Sequence, residues 1–260
     1  MKIVSFNLRC VWNGAVDGKN SFVHRAGFIY EKITAERPDV LAFQEVVPQS
    51  LELLKRMLPE YEFYGSKRGE GFVGAEGLYT AFRKDKFSLV SGDIFWLSPT
   101  PSVMGSRFEN QSECPRVCIS VKLRNKKTSE TLRVINVHLD HVSDEARKLG
   151  MRCLFDYAID KNATDKQPTV ILGDFNAVPT SETMKAAFAE DWLFEVSKIK
   201  KGTTWHDFGR VNHKIIDFVF VTEELQKRVK SSVLWKDKTN GIYLSDHYPV
   251  CVEFEEKKGV

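Results

Sequence analysis

The fold is decided by the stretch Ile171-Leu172-Gly173-Asp174-Phe175-Asn176. It closes the run from Pro168 to Leu172, which is apolar and rich in β-branched residues and so predicts a short buried strand. Alternate side chains of an extended chain share a face, so Asp174 and Asn176 are predicted to face one site while Phe175 packs behind them. A strand exit followed by an ordinary turn would account for the same residues.

A second stretch, near the end of the sequence, places an acid beside a base. Ser245-Asp246-His247 directly precedes the run Pro249 to Phe254, whose alternation predicts the last strand of a sheet. A Ser-Asp pair before a strand is also typical of a turn. The stretch becomes a candidate catalytic group only if partners lie elsewhere in the chain.

Such partners recur at the ends or edges of other apolar runs. They are Asn7 after Lys2 to Phe6, Gln44 and Glu45 after Val40 to Phe43, His138 and Asp140 after Leu132 to Val137, and Asp217 before Phe218 to Val221. In an α/β architecture such strand ends gather on one side of the sheets, where ligands usually bind. The repeated pattern therefore predicts one shared site.

Taken in order, these motifs resemble those of the endonuclease/exonuclease/phosphatase superfamily, in particular its deoxyribonuclease and deadenylase branches and its bacterial members. The motifs are Ser5-Phe6-Asn7, Gln44-Glu45, Asn136-Val137-His138-Leu139, Gly173-Asp174-Phe175-Asn176, Ile216-Asp217-Phe218 and Ser245-Asp246-His247. Each is weak alone, whereas the ordered set over residues 3 to about 254 is specific. The chain lacks the tyrosine near His138 that is usual in abasic-site endonucleases and the proline that tends to follow this histidine in deadenylases. Neither specialised function is therefore carried over.

Helix signals lie between the predicted strands. Ser21 is predicted to cap a helix that runs to about Glu36, and Pro48 to open another that runs to about Met57. Two further helices are predicted from Asp144 to about Asp160 and from Ser181 to about Glu190. We expect an α/β fold, a four-layer α/β sandwich in which two mainly antiparallel or mixed sheets pack face to face with helices outside. The resemblance implies the same architecture.

Composition predicts one soluble domain spanning residues 1–260. The chain has 260 residues and 42% hydrophobic content, enough for one large core, and no linker divides it. Five cysteines without a Cys-x-x-Cys pair favour neither a zinc site nor a complete disulfide framework.

The first strand begins at Lys2, which leaves no room for a signal peptide, so we expect a cytoplasmic protein without a membrane contact. The net charge of +3 is spread out and indicates neither nucleic acid nor a protein partner by itself.

The candidate site residues predict metal-assisted chemistry. Asn7, Glu45 and Asp246 offer hard oxygen ligands, which suit Mg²⁺, with Mn²⁺ as a substitute. An unperturbed histidine has a pKa of about 6.5, so His247 suits a general base that takes a proton from water. The resemblance implies that Asp217 pairs with His247, and that Asp174 and Asn176 orient the water or a phosphate oxygen. Asp174 is also a metal ligand in this interpretation, and one-metal and two-metal chemistry both stay open.

The resemblance also implies roles for residues that would lie around the substrate. It implies that His138 contacts phosphate or protonates the leaving oxygen, that Glu76 supports His138, and that Arg116 binds phosphate. It also suggests that Trp205 or Phe208 stacks on a base of the substrate. From the residues alone, a buried histidine is more often structural and a tryptophan more often part of the core.

The predicted function is a Mg²⁺-dependent hydrolase of phosphodiester bonds, acting on nucleic acid or a nucleotide-containing ester. One alternative is a phosphomonoesterase, and another is a lipid phosphodiesterase of the sphingomyelin or inositol type. A third alternative is a catalytically silent binding domain, because a fold alone does not establish activity. The sequence leaves the natural substrate and the oligomeric state open.

Overall fold

The computed structural model describes residues 1–71, 75–199 and 202–256. In chain order its strands are β1 (Lys2–Asn7), β2 (Val40–Val46), β3 (Tyr61–Lys67), β4 (Gly77–Arg83), β5 (Phe87–Trp96), β6 (Val117–Asn125), β7 (Thr131–His138), β8 (Thr169–Asp174), β9 (Phe194–Glu195), β10 (Asp217–Val221), β11 (Val229–Leu234), β12 (Lys238–Thr239), β13 (Ile242–Tyr243) and β14 (Val250–Phe254). The α-helices are α1 (Phe22–Glu36), α2 (Pro48–Met57), α3 (Asp144–Thr164), α4 (Glu182–Ala189) and α5 (Glu223–Gln226). Short 3₁₀ helices span Gly18–Asn20 and Asp207–Gly209.

The strands form two large mixed sheets. The first has the order β11-β14-β1-β2-β4-β3, and the second has the order β5-β6-β7-β8-β10-β9. In each sheet one central pair is parallel, β1 with β2 and β7 with β8, and the other pairs are antiparallel. Strands β12 and β13 form a separate hairpin.

Three apolar layers hold the sheets and helices together. Residues such as Ile3 and Phe82 of the first sheet pack against Val134 and Leu172 of the second. Helices α1 and α2 cover the outer face of the first sheet, and α3 and α4 cover that of the second. This arrangement confirms the predicted four-layer α/β sandwich. Helix α1 ends at Glu36 as predicted, whereas α3 continues about one turn beyond the predicted end.

The inner faces of the sheets change from apolar to polar at one end. Asn7, His138, Asp174 and Asp217 occupy the alternate strand positions that elsewhere hold Ile3, Val134, Leu172 and Val219, which lie between the sheets. Period-two alternation therefore carries these polar groups to the inner faces. They are buried, with exposed fractions of 1% for Asn7, 5% for His138 and 2% each for Asp174 and Asp217.

A buried amide pair joins the sheets at this end. Gln44 Nε2 donates to Asn136 Oδ1 at 2.8 Å, and Asn136 Nδ2 donates to the Phe43 carbonyl at 3.0 Å. Gln44 lies opposite Asn7 in the β1–β2 register, and Asn136 precedes His138 by two residues on the same face. These bonds fix the spacing of the two sheets where the polar strand ends meet.

In the part of the chain that the structure describes, no helix combines the length and the apolar character needed to cross a membrane.

Candidate active site

The central carboxylate of the polar end is that of Asp174. The strand register places Asp174 directly opposite His138 on one side and Asp217 on the other. The strand approaches β7 so closely at Gly173 that an added Cβ would lie 1.8 Å from the Val137 carbonyl oxygen. Only glycine fits there, which explains why Gly173 precedes the functional acid.

Asn7 links the two sheets through their carboxylates. Its Nδ2 donates to Glu45 Oε1 and to Asp174 Oδ2, both at 3.0 Å, and its Oδ1 accepts from the Arg9 amide at 2.9 Å. The second oxygen of Glu45 accepts from the Cys10 amide at 2.9 Å. The predicted ligands Asn7, Glu45 and Asp174 therefore meet in one cluster.

Glu45 reaches this cluster because of a local irregularity in β2. The β2–β4 register shifts between Phe43 and Val46, and Glu45 has a positive φ of 56°. A bulge of this kind re-aims a side chain that regular alternation would send to the other face. The backbone at Glu45 thus departs from a regular strand at the point where the site begins.

His247 is held by Asp217. Its Nδ1 donates to Asp217 Oδ2 at 2.9 Å, and its Nε2 lies 3.7 Å from Asp174 Oδ2. Burial lowers the pKa of His247, but the carboxylates of Asp217, Asp174 and Asp246 together raise it to about 10. Without a bound cation, the imidazole therefore keeps its proton at neutral pH.

The environment of Asp174 disfavours the charged form of its side chain, whereas that of His247 favours the charged form. Burial raises its pKa to about 7, with His247 opposing the change and Asp217 adding to it. Its Oδ1 accepts from the Asn176 amide at 2.9 Å, and Asn176 Nδ2 donates to the Leu139 carbonyl at 3.0 Å. Strand β8 ends at Asp174, and two residues later Asn176 has a left-handed φ of 47°. The predicted extended geometry therefore does not continue to Asn176, and the prediction that alternation places Asn176 on the face of Asp174 is wrong. The role of Asn176 stays a prediction.

Asp246 lies beside this cluster and is held by two hydrogen bonds and one ion pair. Ser245 Oγ donates to Oδ1 at 3.1 Å, Trp205 Nε1 donates to Oδ2 at 3.3 Å, and Arg9 Nε lies 3.9 Å from Oδ2. Burial raises the pKa of Asp246, with His247 and Arg9 opposing and Glu45 adding to the rise. Positive charge near this carboxylate would favour its charged form.

Basic side chains lie on the opposite side of Asp174. His138 Nε2 lies 3.5 Å from Asp174 Oδ2, and burial together with Arg116 and Arg68 lowers the pKa of His138 well below its usual value. Arg116 Nη2 donates to His141 Nδ1 at 2.8 Å, while the buried Nε and Nη1 of Arg116 have no hydrogen-bond partner among the described residues. Arg116 Nε also lies 3.7 Å from Asp140 Oδ1, in an ion pair. Guanidinium donors that form no hydrogen bond within the protein suit an anionic ligand.

Glu76 forms its ion pair with an arginine. Its Oε1 lies 2.7 Å from Arg68 Nη2, and burial and Glu45 raise its pKa while Arg68 and Arg116 lower it. Glu76 also shares a group of close ligand atoms with Cys10 and Glu45, all within 4.8 Å of one another. The predicted support of His138 by Glu76 stays a prediction, and Arg68 is the partner that the sequence did not suggest.

The two predicted aromatic contacts lie in the loop before β10. Trp205 touches Asp246 through its indole, and Lys214 Nζ lies 4.0 Å from the centroid of its ring. Phe208 has a positive φ of 53° in the 3₁₀ turn, and its ring centroid is 6.4 Å from that of Tyr243. Both side chains are half-buried, so their substrate contacts stay predictions.

The donor set fits a hard divalent cation. Ligand atoms of Glu45, His138 and Asp174 lie within 4.8 Å of one another, and so do those of Asp174, Asp217 and His247. Most of these atoms are carboxylate oxygens, which suit Mg²⁺ or Mn²⁺ better than soft metals. Glu45 is half-buried and Asp174 is buried.

Arg25 is a further residue of the site that the sequence reading missed. It is fully buried and donates to the carbonyls of Leu8, Asn20 and Leu244. Leu8 follows Asn7, and Leu244 lies two residues before Asp246, so one guanidinium holds both segments. The signal was present, because Arg25 shares a helix face with Phe22, Ile29 and other apolar residues of α1.

Comparisons with known proteins agree with this geometry. The sequence profile of the endonuclease/exonuclease/phosphatase family matches residues 4–247. The fold is similar to that of an endonuclease/exonuclease/phosphatase from Bacteroides vulgatus, with a TM-score of 0.86 and 27% identity over 98% of each chain. A mannosyl-6-phosphatase from Bacteroides thetaiotaomicron has a TM-score of 0.86 and 25% identity, over 98% of this chain and 100% of that one. In sequence, the chain is 23% identical over 270 residues to an uncharacterized protein of Acanthamoeba polyphaga mimivirus, covering 98% of this chain and 100% of that protein. Because the profile spans nearly the whole length, the chain belongs to the endonuclease/exonuclease/phosphatase family of phosphoric-ester hydrolases.

Proposed function

We propose that the protein is a Mg²⁺-dependent hydrolase that cleaves phosphodiester bonds by in-line attack of water. The observation that carries the proposal is the cluster of Glu45 and Asp174, bridged by Asn7 and placed next to the Asp217–His247 pair. The predicted catalytic side chains are all present and most lie together, which supports activity over a silent binding domain.

Glu45, Asp174 and Asp246 are the residues that would hold the cation. Asn7 would join them once its amide oxygen, rather than its nitrogen, faces the two carboxylates. When bound, the cation supplies charge that offsets the carboxylates, lowers the pKa of His247 and polarises the scissile phosphate. Mn²⁺ offers the same hard-ligand chemistry and should substitute.

His247 is the proposed general base. Asp217 accepts from Nδ1 and so leaves Nε2 as the ring nitrogen that faces the cluster, 3.7 Å from Asp174 Oδ2. A neutral imidazole in this tautomer accepts a proton at Nε2, and the Asp217 carboxylate stabilises the imidazolium that results. Asp174 and Asn176 would orient the attacking water.

His138 and Arg116 are the proposed contacts of the phosphate on the other side. The lowered pKa of His138 keeps it neutral, so it would donate a hydrogen bond to a phosphate or leaving-group oxygen. Arg116 would use Nε and Nη1, which form no hydrogen bond among the described residues, for phosphate oxygens whose charge grows in the transition state. Glu76 would act here through Arg68 or His138.

The proposed substrate is nucleic acid or a nucleotide-containing ester, with Trp205 or Phe208 near its base. A phosphomonoesterase acting on a sugar phosphate is the second candidate, and the similarity to the mannosyl-6-phosphatase favours it. The two differ in the charge of the reacting group, because a monoester carries a second ionisable oxygen. Direct comparison of ester classes separates them.

The test is hydrolysis of a substrate panel by protein stripped with EDTA and then given Mg²⁺ or Mn²⁺. The panel contains bis-p-nitrophenyl phosphate, p-nitrophenyl phosphate, mannose 6-phosphate, single-stranded DNA and poly(A). We expect metal-dependent cleavage of the diesters, lost in Asp174→Asn and His247→Ala and retained in the control Glu182→Gln, which changes an exposed acid on α4. Cleavage of the monoesters alone would select the second candidate. Full activity in EDTA would refute both.

A further inference from the structure

Trp205 donates its indole N–H to a predicted metal ligand. Nε1 lies 3.3 Å from Asp246 Oδ2. We propose that Trp205 is a positioning residue that orients the Asp246 carboxylate for the divalent cation. The inference rests on the proposed metal-dependent function.

The backbone around Trp205 is tied to the segment that carries Asp246. The His206 amide donates to the Asp246 carbonyl at 2.8 Å, and the Tyr248 amide donates to the Thr204 carbonyl at 2.7 Å. Trp205 and His247 also form an antiparallel bridge. The indole is therefore held at a fixed position relative to the carboxylate, as a positioning donor requires.

One face of the Trp205 ring is already covered. Lys214 Nζ lies 4.0 Å from the ring centroid, and the Trp205 amide donates to the Lys214 carbonyl at 3.2 Å. A cation over an aromatic ring is attracted by the electron-rich face of the ring. A substrate base on that face would have to displace the ammonium group. The position of Lys214 therefore favours a role for Trp205 through its indole N–H over stacking on that face.

Asp246 keeps room for a cation after these bonds. Among the described residues, Oδ1 accepts a hydrogen bond from Ser245 and Oδ2 accepts one from Trp205. Each carboxylate oxygen offers two lone-pair sites, so one site on each stays open. The two donors act on different oxygens and so fix the rotation of the carboxylate plane, which decides where the open sites point.

The variant Trp205→Phe tests the proposal, because it keeps an aromatic ring and removes the N–H donor. Its matched control is Trp192→Phe, which removes an indole that donates to Glu190 Oε2 at 2.7 Å outside the site. Binding of MnCl₂ to the EDTA-stripped proteins is measured by calorimetry in the absence of substrate. We expect the Kd for Mn²⁺ to rise about 10–100-fold in Trp205→Phe, as is usual when an outer hydrogen bond to a ligand is lost. The control should bind as the wild type does.

Lys214→Met separates positioning from loop packing, because it uncovers the ring and keeps the indole N–H. We expect it to bind Mn²⁺ as the wild type does. Equal loss of affinity in Lys214→Met and Trp205→Phe would assign the effect to packing and overturn the proposal. If Trp205→Phe does not fold by circular dichroism, Trp205→His, which keeps a ring N–H, takes its place and should retain more affinity than Trp205→Leu. Equal affinities of those two variants would overturn the proposal.

Two further outcomes separate this inference from the proposed function. If Trp205→Phe binds Mn²⁺ as the wild type does and instead raises the KM for nucleotide esters alone, Trp205 is a stacking residue and the positioning role is wrong. If the wild type itself binds no divalent cation, the proposed metal-dependent function fails before the role of Trp205 arises.

Discussion

Arg25→Met is expected to destabilise the protein strongly. Methionine keeps an unbranched apolar stem in the same position, so the change removes the guanidinium donors with little loss of volume. The three fully buried acceptors, the carbonyls of Leu8, Asn20 and Leu244, then lose their charged donor, and the part-buried Arg9 carbonyl loses a longer bond of 3.4 Å. Burial lowers the pKa of Arg25 to about 10, which leaves the group charged at neutral pH.

The magnitude follows from those three acceptors. A buried acceptor left without its partner costs about 1–3 kcal/mol, so three would cost up to about 9 kcal/mol. The variant no longer buries a charge, which offsets part of this cost. We therefore expect the free energy of unfolding to fall by about 3–5 kcal/mol, in the range for breaking a buried charged interaction.

The assay is urea unfolding followed by circular dichroism at pH 7, with linear extrapolation to water. The control is Arg152→Met, a change of the same type at an exposed position of α3, for which we expect less than about 0.5 kcal/mol. The m-value should be unchanged in both variants. A loss below about 1 kcal/mol for Arg25→Met would refute the view that this guanidinium joins the segments around Asn7 and Asp246.

Two other predictions concern ionisable groups. Asp217→Asn should lower kcat by about 10²–10⁴-fold in steady-state assays with Mg²⁺, because His247 loses the group that sets its tautomer. An unchanged kcat would contradict the role of His247 as the general base. Burial lowers the pKa of His206 to about 4, below the 6.5 of an unfolded histidine. The unfolded chain therefore binds more protons between these values, so the contribution of His206 to stability is full above pH 6.5 and is lost as the pH falls toward 4. Between pH 7, 5.5 and 4, the free energy of unfolding measured in urea should fall less for His206→Asn than for the wild type. An equal fall in both proteins would refute this contribution of His206.

The fold was accessible from sequence because its signals are local. Short apolar runs predict buried strands such as Thr169–Asp174, and caps predict helices such as Glu182–Ala189, where the Ser181 side chain accepts from the Met184 amide. Ser21, the predicted cap of Phe22–Glu36, lies at the N-cap position but makes no side-chain cap hydrogen bond. The candidate residues Asp174 and His247 were accessible for the same reason, since each sits next to such a run. The strand register brings them to one end of the sheets. The position of polar residues at strand ends predicts that they cluster there, but it does not predict the distances between their side chains.

The remaining features depend on long-range packing and local backbone irregularity. Glu45 points into the site because of a bulge, and Asn176 leaves the extended conformation that alternation assumes. Glu76 pairs with Arg68, a choice between cations that only the packed sheets decide. The indole N–H of Trp205 and the guanidinium of Arg25 act on partners 41 and up to 219 residues away, which no sequence window contains.

The central claim is that the cluster around Glu45 and Asp174 holds the divalent cation that makes hydrolysis possible. The measurement is the rate of bis-p-nitrophenyl phosphate hydrolysis as a function of Mg²⁺ concentration, for EDTA-stripped wild type, Glu45→Gln and the exposed control Glu182→Gln. We predict no rate without Mg²⁺, saturation in the wild type and the control, and a half-saturating concentration at least about 10-fold higher in Glu45→Gln, because one charged ligand is lost. A Mg²⁺ dependence of Glu45→Gln that matches the wild type, or an undiminished rate without any metal, would contradict the claim.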